Sequence, residues 1–439
     1  MTQRKSKWIL TGLLLLLPIF LKGQSPQYLS LEQAIRLSAQ QNTQVKTAEI
    51  DRRIAQANRH QTDAFFLPQV SVGYQAMMTN DPLNAFGFLL QQRQVTSFDF
   101  DPAKLNDPGN SQNYSASIEF QIPLLNVDRI YARKGARLQE EMYEHQAQRT
   151  QEHIRFEVQK AYTYLQLAYH TRDILDSTLQ DVKGIHASVS RFYEQGLVHK
   201  SDVLNAQVQV NTIEGALSKA ESNIANASDG LKLLIGETTD NGTYQTDPLQ
   251  QNVFLLGEKT FTTNRSDILA MGKALKATQM NAKSAAMAFV PTINAFGNYQ
   301  FHDDKIFRFK EDAYLLGISL KWKLFSGNQN RSKFRAAALQ RDKMQKDYDF
   351  YLSQSRIEVD KNRREIADLQ LEIRKQKTSV QQAAEALRIM NDRHREGLVS
   401  TTDLLLSQAQ LSQQRLALAQ SITNYNIACF YQDILTNPF

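Results

Sequence analysis

Two carboxylates stand in matching places in this chain. Asp202 follows Gly196 at the same offset at which Asp403 follows Gly397. The residues around them repeat as RFYEQGLVHKSDVLNAQVQ from Arg191 to Gln209 and DRHREGLVSTTDLLLSQAQ from Asp392 to Gln410. Laying Gly196 on Gly397 also lays Leu197 on Leu398, Val198 on Val399, Leu204 on Leu405 and Gln207 on Gln408 without a gap. A glycine that ends one helix, followed by a Ser/Thr/Asp cluster that starts the next, predicts a sharp turn between two helices. An aspartate there meets free N–H groups and the positive end of the helix dipole. Ser400 with Asp403 resembles a capping box in which Asp replaces the usual Glu. If several such turns converge, the same carboxylates form a ring that attracts cations.

Other chemistry is not written in the chain. It holds no Gly-rich phosphate loop, no G-x-S-x-G, no H-E-x-x-H and no pair of cysteines. The eight histidines are dispersed. The nearest carboxylate–histidine pairs, Glu152 beside His153 and Glu141 before His145, read as surface contacts on a helix. Met77 and Met78 suggest a soft-metal path, but neighbours on a strand face opposite sides, so they read as a coincidence of the strand edge. Cys429, among Ile427, Ala428 and Phe430, reads as a packed thiol. The expectation is a protein that is not an enzyme and has no cofactor and no metal.

The chain has 439 residues, 22% of them charged, and a mean hydropathy of −0.46. These values exclude a helical membrane protein. The formal net charge is +6, but lysines and arginines are interleaved with acids, so no nucleic-acid partner is expected. Arg4, Lys5 and Lys7 precede a short apolar run, Ile9 to Leu21, which reads as a signal peptide over residues 1–23. No cysteine follows the run to carry a lipid. No later stretch is long and apolar enough to cross a membrane as a helix, so insertion must be by strands.

The elements that carry the two turns occur twice. The expected organisation is a first structural repeat over 24–236, a linker or equatorial segment over 237–264 and a second repeat over 265–439. Each repeat reads helix, strand, loop, strand, very long helix, tight turn, return helix. The stretches Leu31 to Phe66 and Ser266 to Phe289 read as helices, stopped by Pro68 and Pro291. Strands are expected near 68–77, 113–123, 291–301 and 313–324. In the second strand Tyr114, Ala116, Ile118, Phe120 and Ile122 alternate with Ser115, Ser117, Glu119 and Gln121. In the fourth, Leu316, Ile318, Leu320, Trp322 and Leu324 alternate with Gly317, Ser319, Lys321 and Lys323. About ten residues of such alternation fit one membrane strand. Ile118, Phe120, Ile318 and Leu320 are therefore expected to face lipid, and Ser117, Glu119, Ser319 and Lys321 a lumen. Phe296 spoils the polar side of the third strand, and Asp81 to Asn113 reads as a long loop. Residues 126–195 and 328–396 read as helices of roughly 100 Å. Leu175, Leu179, Val182, His186, Val189 and Tyr193 form a coiled-coil seam. On the return helix, Val203, Val210, Leu217, Ile224 and Leu231 form one heptad row, and Ala206, Ile213, Ala220, Ala227 and Leu234 the other. The tip turns fall near 196–202 and 397–403.

This plan resembles the TolC family of outer-membrane efflux channel proteins. The residues that carry the resemblance are SLEQAI from Ser30 with Asn42 downstream, LPQV at 67–70, RSDI at 265–268, VPTI at 290–293, LFSG at 324–327 and both GLVxxxD turns. Together, in this order, they cover nearly all of the chain after the leader. The resemblance implies a mainly α protein with a β-barrel portion. Three copies would each give four strands to one shared transmembrane barrel, above a long periplasmic coiled-coil tunnel. It implies an exit duct of a tripartite efflux or type I secretion system, with a periplasmic adaptor and an inner-membrane pump as partners. The tunnel would close at a mouth formed by Gly196, Leu197, Val198, Asp202, Gly397, Leu398, Val399 and Asp403. The chain departs from the family at Leu406, where a second acid can follow Asp403, and at Val399, where a basic latch residue can stand. Sharing is also required physically, because four strands cannot close a barrel and lipid tolerates no open sheet edge. The competing reading is a coiled-coil structural protein that spans the periplasm without a channel.

Overall fold

A computed structural model describes residues 27–237, 242–252 and 260–436. The expected signal peptide lies outside the described residues, as do 238–241 and 253–259 of the expected linker.

The chain opens with β1 (Gln27–Tyr28), α1 (Leu31–Gln41), α2 (Thr43–Gln61) and β2 (Gln69–Thr79). It continues through α3 (Pro82–Gln91), α4 (Pro102–Asn106) and β3 (Ser111–Leu125) into α5 (Val127–Glu194) and α6 (Lys200–Ile235). β4 (Tyr244–Gln245) lies between the halves. The second half holds α7 (Ser266–Met287), β5 (Thr292–Asp303), β6 (Glu311–Lys321), α8 (Gln329–Arg395) and α9 (Thr401–Thr436). With 68 residues, α5 is about 100 Å long. Among the described residues no helix is long and apolar enough to cross a membrane.

The structure corrects several expectations. The stretch Leu31 to Phe66 is not one helix. Asn42 breaks it, because its Oδ1 accepts from the N–H groups of Gln44 and Val45 while its amide donates to the Leu234 carbonyl at 2.8 Å. One buried side chain thus caps α2 and fastens it to the end of α6. The stretch expected to be a long loop carries α3 and α4, each started by an aspartate cap and a proline in the first turn, at Asp81–Pro82 and Asp101–Pro102. The last strand ends at Lys321, before Trp322 and Leu324, and the Trp322 indole donates to the Phe289 carbonyl.

The four long strands form one antiparallel sheet in the order β2-β3-β5-β6. The two halves therefore meet at the β3–β5 pairing, and β2 and β6 are its edges. A second, two-stranded sheet pairs β1 with β4 in parallel. Below the large sheet α5 folds back on α6, and α8 on α9. α5 also packs along α7 and α9 of the other half, whereas α8 packs mainly on α7 and α9. The seam of α5 is built from Leu175, Leu179, Val182, Ile185 and Val189. Ile185 is buried where His186 was expected, and Tyr193 is exposed. On α6, Val210, Ile224 and Leu231 are buried in one row and Ala206, Ile213 and Ala220 in the other.

A buried ionic knot holds the halves together. Arg265 and Asp267, from the RSDI signature, pair at 2.5 Å, and the Tyr351 hydroxyl donates to Asp267 at 2.6 Å. Arg149 reaches both Glu152 at 3.0 Å and Asp267 at 3.6 Å, and the Ser266 hydroxyl donates to Glu152. Glu152 is therefore buried, not the surface contact expected, and Glu141 pairs with Lys273 rather than His145. Burial alone would raise the pKa of Asp267, but the bonds from Arg265 and Tyr351 and the charge of Arg149 hold it below the ordinary value. Its stabilisation is fully present above the ordinary aspartate pKa of 3.8 and is lost as pH falls through the lowered folded value. Arg265→Met leaves that carboxylate buried with fewer partners and should cost roughly 3–5 kcal/mol in thermal unfolding. Asp267→Asn should flatten the acid limb of unfolding temperature against pH; an unchanged limb would remove Asp267 as its source.

Candidate functional site

The residues singled out by the sequence fall into two places, the faces of the sheet and the turns at the far end of the long helices.

Residues opposite each other in adjacent strands share a face. Ile118 pairs with Val72 and Tyr299, and Phe120 with Val70 and Gly297. Ile318 pairs with Ala295, and Leu320 with Ile293. These residues therefore lie on one face, and that face is apolar across all four strands. Ser117 pairs with Gly73 and Gln300, Glu119 with Ser71 and Asn298, Ser319 with Asn294 and Lys321 with Thr292. The opposite face is thus mainly Ser, Asn, Gln, Glu and Lys. Phe296, Leu315 and Met77 are its exceptions, and the Phe296 ring lies over Gly317 on the next strand. A Cβ added to Gly317 would stand 2.7 Å from that ring. On the apolar face Phe120 lies over Gly297 in the same way. The glycines make room for rings that no period in the sequence could have placed.

The two turns have the same backbone. Gly196 and Gly397 take φ of +74° and +72°. The N–H of Gly196 donates to the Tyr193 carbonyl at 2.9 Å and that of Leu197 to Phe192 at 2.8 Å. The second turn repeats both bonds, from Gly397 to His394 at 3.0 Å and from Leu398 to Arg393 at 2.9 Å. This is a Schellman ending that satisfies the last carbonyls of each long helix. In each copy the leucine, Leu197 or Leu398, is exposed and the valine, Val198 or Val399, is half-buried.

The aspartates do different work. Asp202 accepts the backbone N–H of His199 at 3.0 Å. At the second turn the Ser400 hydroxyl accepts the N–H of Asp403 at 3.1 Å and donates to its carboxylate at 2.7 Å. Only half of the expected capping box forms, because the Asp403 side chain is held by the serine hydroxyl. Asp403 is exposed and Asp202 partly so, and Leu406 is exposed one turn beyond Asp403.

Between the turns lies a cleft of 660 Å³ lined by Phe192, Leu197, His199, Asp202, His394, Ser400 and Thr401. His394 is buried there, with its ring 5.8 Å from Phe192 and Nε2 3.2 Å from the Thr401 hydroxyl. Burial pushes its pKa below the ordinary value, against the field of Asp202, so the ring is neutral at neutral pH. His394 joins the first turn to the second. Sequence reasoning missed it because the repeat does not mark it: its counterpart in the first copy is Tyr193, which is exposed. Among the described residues no cluster of three metal-ligating side chains occurs. Cys429 is buried, which pushes its thiol up to about 11.

A sheet with one apolar and one polar face, standing on paired helices far too long for a globular domain, fits an outer-membrane channel. The outer membrane efflux protein family matches residues 34–237 and 260–429. The chain belongs to this family. It is an outer-membrane efflux channel with its helical tunnel on the periplasmic side. Comparison with the curated proteins finds no match. Among solved structures, it is similar to CusC at 17% identity and a TM-score of 0.81, over 94% of each chain; the CusC structures concern folding and transmembrane channel formation. It is similar to the outer membrane protein VceC of Vibrio cholerae at 19% identity and 0.80, over 93% of this chain and 97% of that one. It is also similar to the CmeC outer membrane channel of Campylobacter jejuni at 16% and 0.79, over 93% and 86%.

The tip glycines separate conformational cost from crowding. Nothing stands within 4 Å of a Cβ added at Gly196 or Gly397, whereas one at Gly236, φ +77°, would lie 2.6 Å from the Gln41 carbonyl oxygen. Gly196→Ala and Gly397→Ala should each cost about 1 kcal/mol. Gly236→Ala should cost clearly more, as measured by thermal unfolding of the three variants side by side.

Proposed function

We propose that three copies of this chain form one passive exit duct, opened by a periplasmic adaptor and driven by an inner-membrane pump. The observation that carries the reading is the unequal use of equivalent surfaces. In the first half β3 pairs with β5, and α5 packs on α7 and α9. The equivalent elements of the second half, β6 and α8, have no such neighbours among the described residues. Applying the same contacts again would set β6 against β2, and α8 against α2 and α6, of the next copy. The surfaces left open carry apolar side chains, with Phe350 and Ile357 on α8, Ile50 and Ile54 on α2, and Leu204 and Val208 on α6 exposed. A heterologous contact of this kind closes into a ring, and three copies give about twelve strands, within the range of membrane barrels.

In that assembly Ile118, Phe120, Ile318 and Leu320 face lipid. Ser117, Glu119, Ser319 and Lys321 face the lumen. The structural repeats span 24–236 and 265–439, joined by 237–264. The turns bearing Gly196, Leu197, Val198 and Asp202, and Gly397, Leu398, Val399 and Asp403, converge on the axis as the periplasmic mouth. Exposed Leu197, Leu398 and Leu406 support a mouth that offers apolar surface to an adaptor. With Leu406 in place of a second acid, each turn contributes one carboxylate, so three copies bring six.

Arg at Ile318 should cost roughly 2–4 kcal/mol near mid-bilayer, whereas Arg at Ser319 should be tolerated and shift ion selectivity. Cysteine labelling with a water-soluble reagent checks the register, and equal labelling of Ile318→Cys and Ser319→Cys would reject it. The double variant Asp202→Asn/Asp403→Asn should still run as a trimer but lose cation preference and block by polyvalent cations. Unchanged selectivity and block in single-channel recordings would make the carboxylates caps alone.

A further inference from the structure

The sheet end remote from the helices is built differently on its two faces. On the apolar face the β5–β6 connection folds down, and Phe307 stacks on Tyr74 at 4.8 Å. On the polar face lies the excursion between β2 and β3, residues 81–110. Its anchor is a buried polar network. Gln92 donates to the Gln112 carbonyl at 2.8 Å and to the Asn113 Oδ1 at 3.1 Å, and Asn113 donates to Gln91 at 3.0 Å. Asn113 Nδ2 also lies 3.4 Å from His302 Nδ1. Arg93, at φ +50°, donates to the Asp312 carbonyl at 2.9 Å and pairs with Glu311 at 3.3 Å. His302 pairs in register with Ser115 and Glu311, so these anchors belong to the polar face. Gln92, Asn113 and His302 are all less than a tenth exposed. An exposed loop would not need three buried amide and imidazole groups to hold it.

What the anchor holds is apolar. α3 reads PLNAFGFLLQ, and Phe86 packs edge-on against Phe100 at 5.7 Å. Leu83 is 81% exposed and Phe98 77%, with Leu90 and Phe100 also exposed. Exposed apolar side chains clustered over a mainly polar face mark a contact with a partner. The dimensions supply one. Twelve strands about 4.8 Å apart and tilted near 40° make a barrel roughly 24 Å across between backbones. Three helices about 10 Å wide nearly fill that opening.

We propose that residues 81–110 are a plug at the outward mouth, where the equivalent segments of three copies meet through Leu83, Leu90, Phe98 and Phe100. The inference rests on the polar face being the lumen. The plug is a second constriction, opposite the periplasmic turns. Being apolar, it impedes hydrated solutes entering from outside, while the Gln92 and Arg93 anchors set how readily it parts for outgoing cargo.

The test places a cysteine below the plug, Ser117→Cys, and labels intact cells from outside. Cys429 is buried and stays unlabelled. A small impermeant maleimide should react, and a maleimide carrying a bulky polyethylene glycol chain should not. Replacing residues 82–106 by a short Gly-Ser bridge, or introducing Gln92→Ala with Arg93→Ala, should speed the bulky reagent by about tenfold or more. The two-residue variant serves where the bridged chain assembles poorly. Bulky labelling of the unaltered segment at the same rate, or continued exclusion in both altered forms, overturns the plug. If the small reagent also fails on purified trimers with the plug removed, the polar face is not a lumen, and the underlying reading falls with the plug.

Discussion

The backbone of a strand in lipid must have every N–H and C=O paired, since each group left open in hydrocarbon costs several kcal/mol. Among its described residues this chain pairs β2, β3, β5 and β6, leaving an edge on β2 and another on β6. The rest of the architecture follows from that shortage. The sheet can be lipid-facing on one side only if its edges are covered, and among the described residues the two other strands, β1 and β4, pair with each other. Further copies of the same sheet would continue the hydrogen-bond ladder at both edges.

The duplication turns this need into a rule of assembly. Two similar halves that pack side by side expose, on their outer flanks, the same surfaces that they bury between them. The inner junction is secured by the knot of Arg149, Glu152, Arg265, Ser266, Asp267 and Tyr351. Buried charge adds little net stability but punishes misalignment, because any shift strands an ion in a dry place. The knot therefore acts as a register pin between halves, while the apolar contacts of α5 with α6 and α9 add attraction.

The two ends of the molecule solve opposite problems. At the far turns each helix pair must reverse tightly and still satisfy its terminal carbonyls, which a left-handed glycine does with two backbone bonds. There the copies diverge only in side chains: Tyr193 is exposed while His394 is buried and joined to Thr401. At the sheet's outer end the connections are long and carry their own structure. Their aromatic and amide contacts settle on opposite faces, so the sheet's two-sidedness extends into its loops.

Much of this was legible in the chain as written. Period-two alternation gave the faces of β3 and β6, since side chains on a strand must alternate whatever surrounds them. Pro68 and Pro291 marked where helices give way to strands, and the two Gly-Leu-Val runs marked turns that only a residue without Cβ adopts cheaply. These are local rules, enforced by covalent geometry. What the chain did not disclose depends on partners remote in sequence. Asn42 breaks a helix because Leu234 is there to accept its amide. Glu152 is buried because Ser266 and Arg149 reach it. Phe296 sits on a polar face because Gly317 leaves a hollow beneath the ring. Residues 81–110 fold over one face because Asn113 and His302 lie side by side on adjacent strands. Sequence settled the direction in which each side chain leaves its own backbone; only the packed structure settled what it met there, since the energy of a buried polar or aromatic group is set by its neighbours.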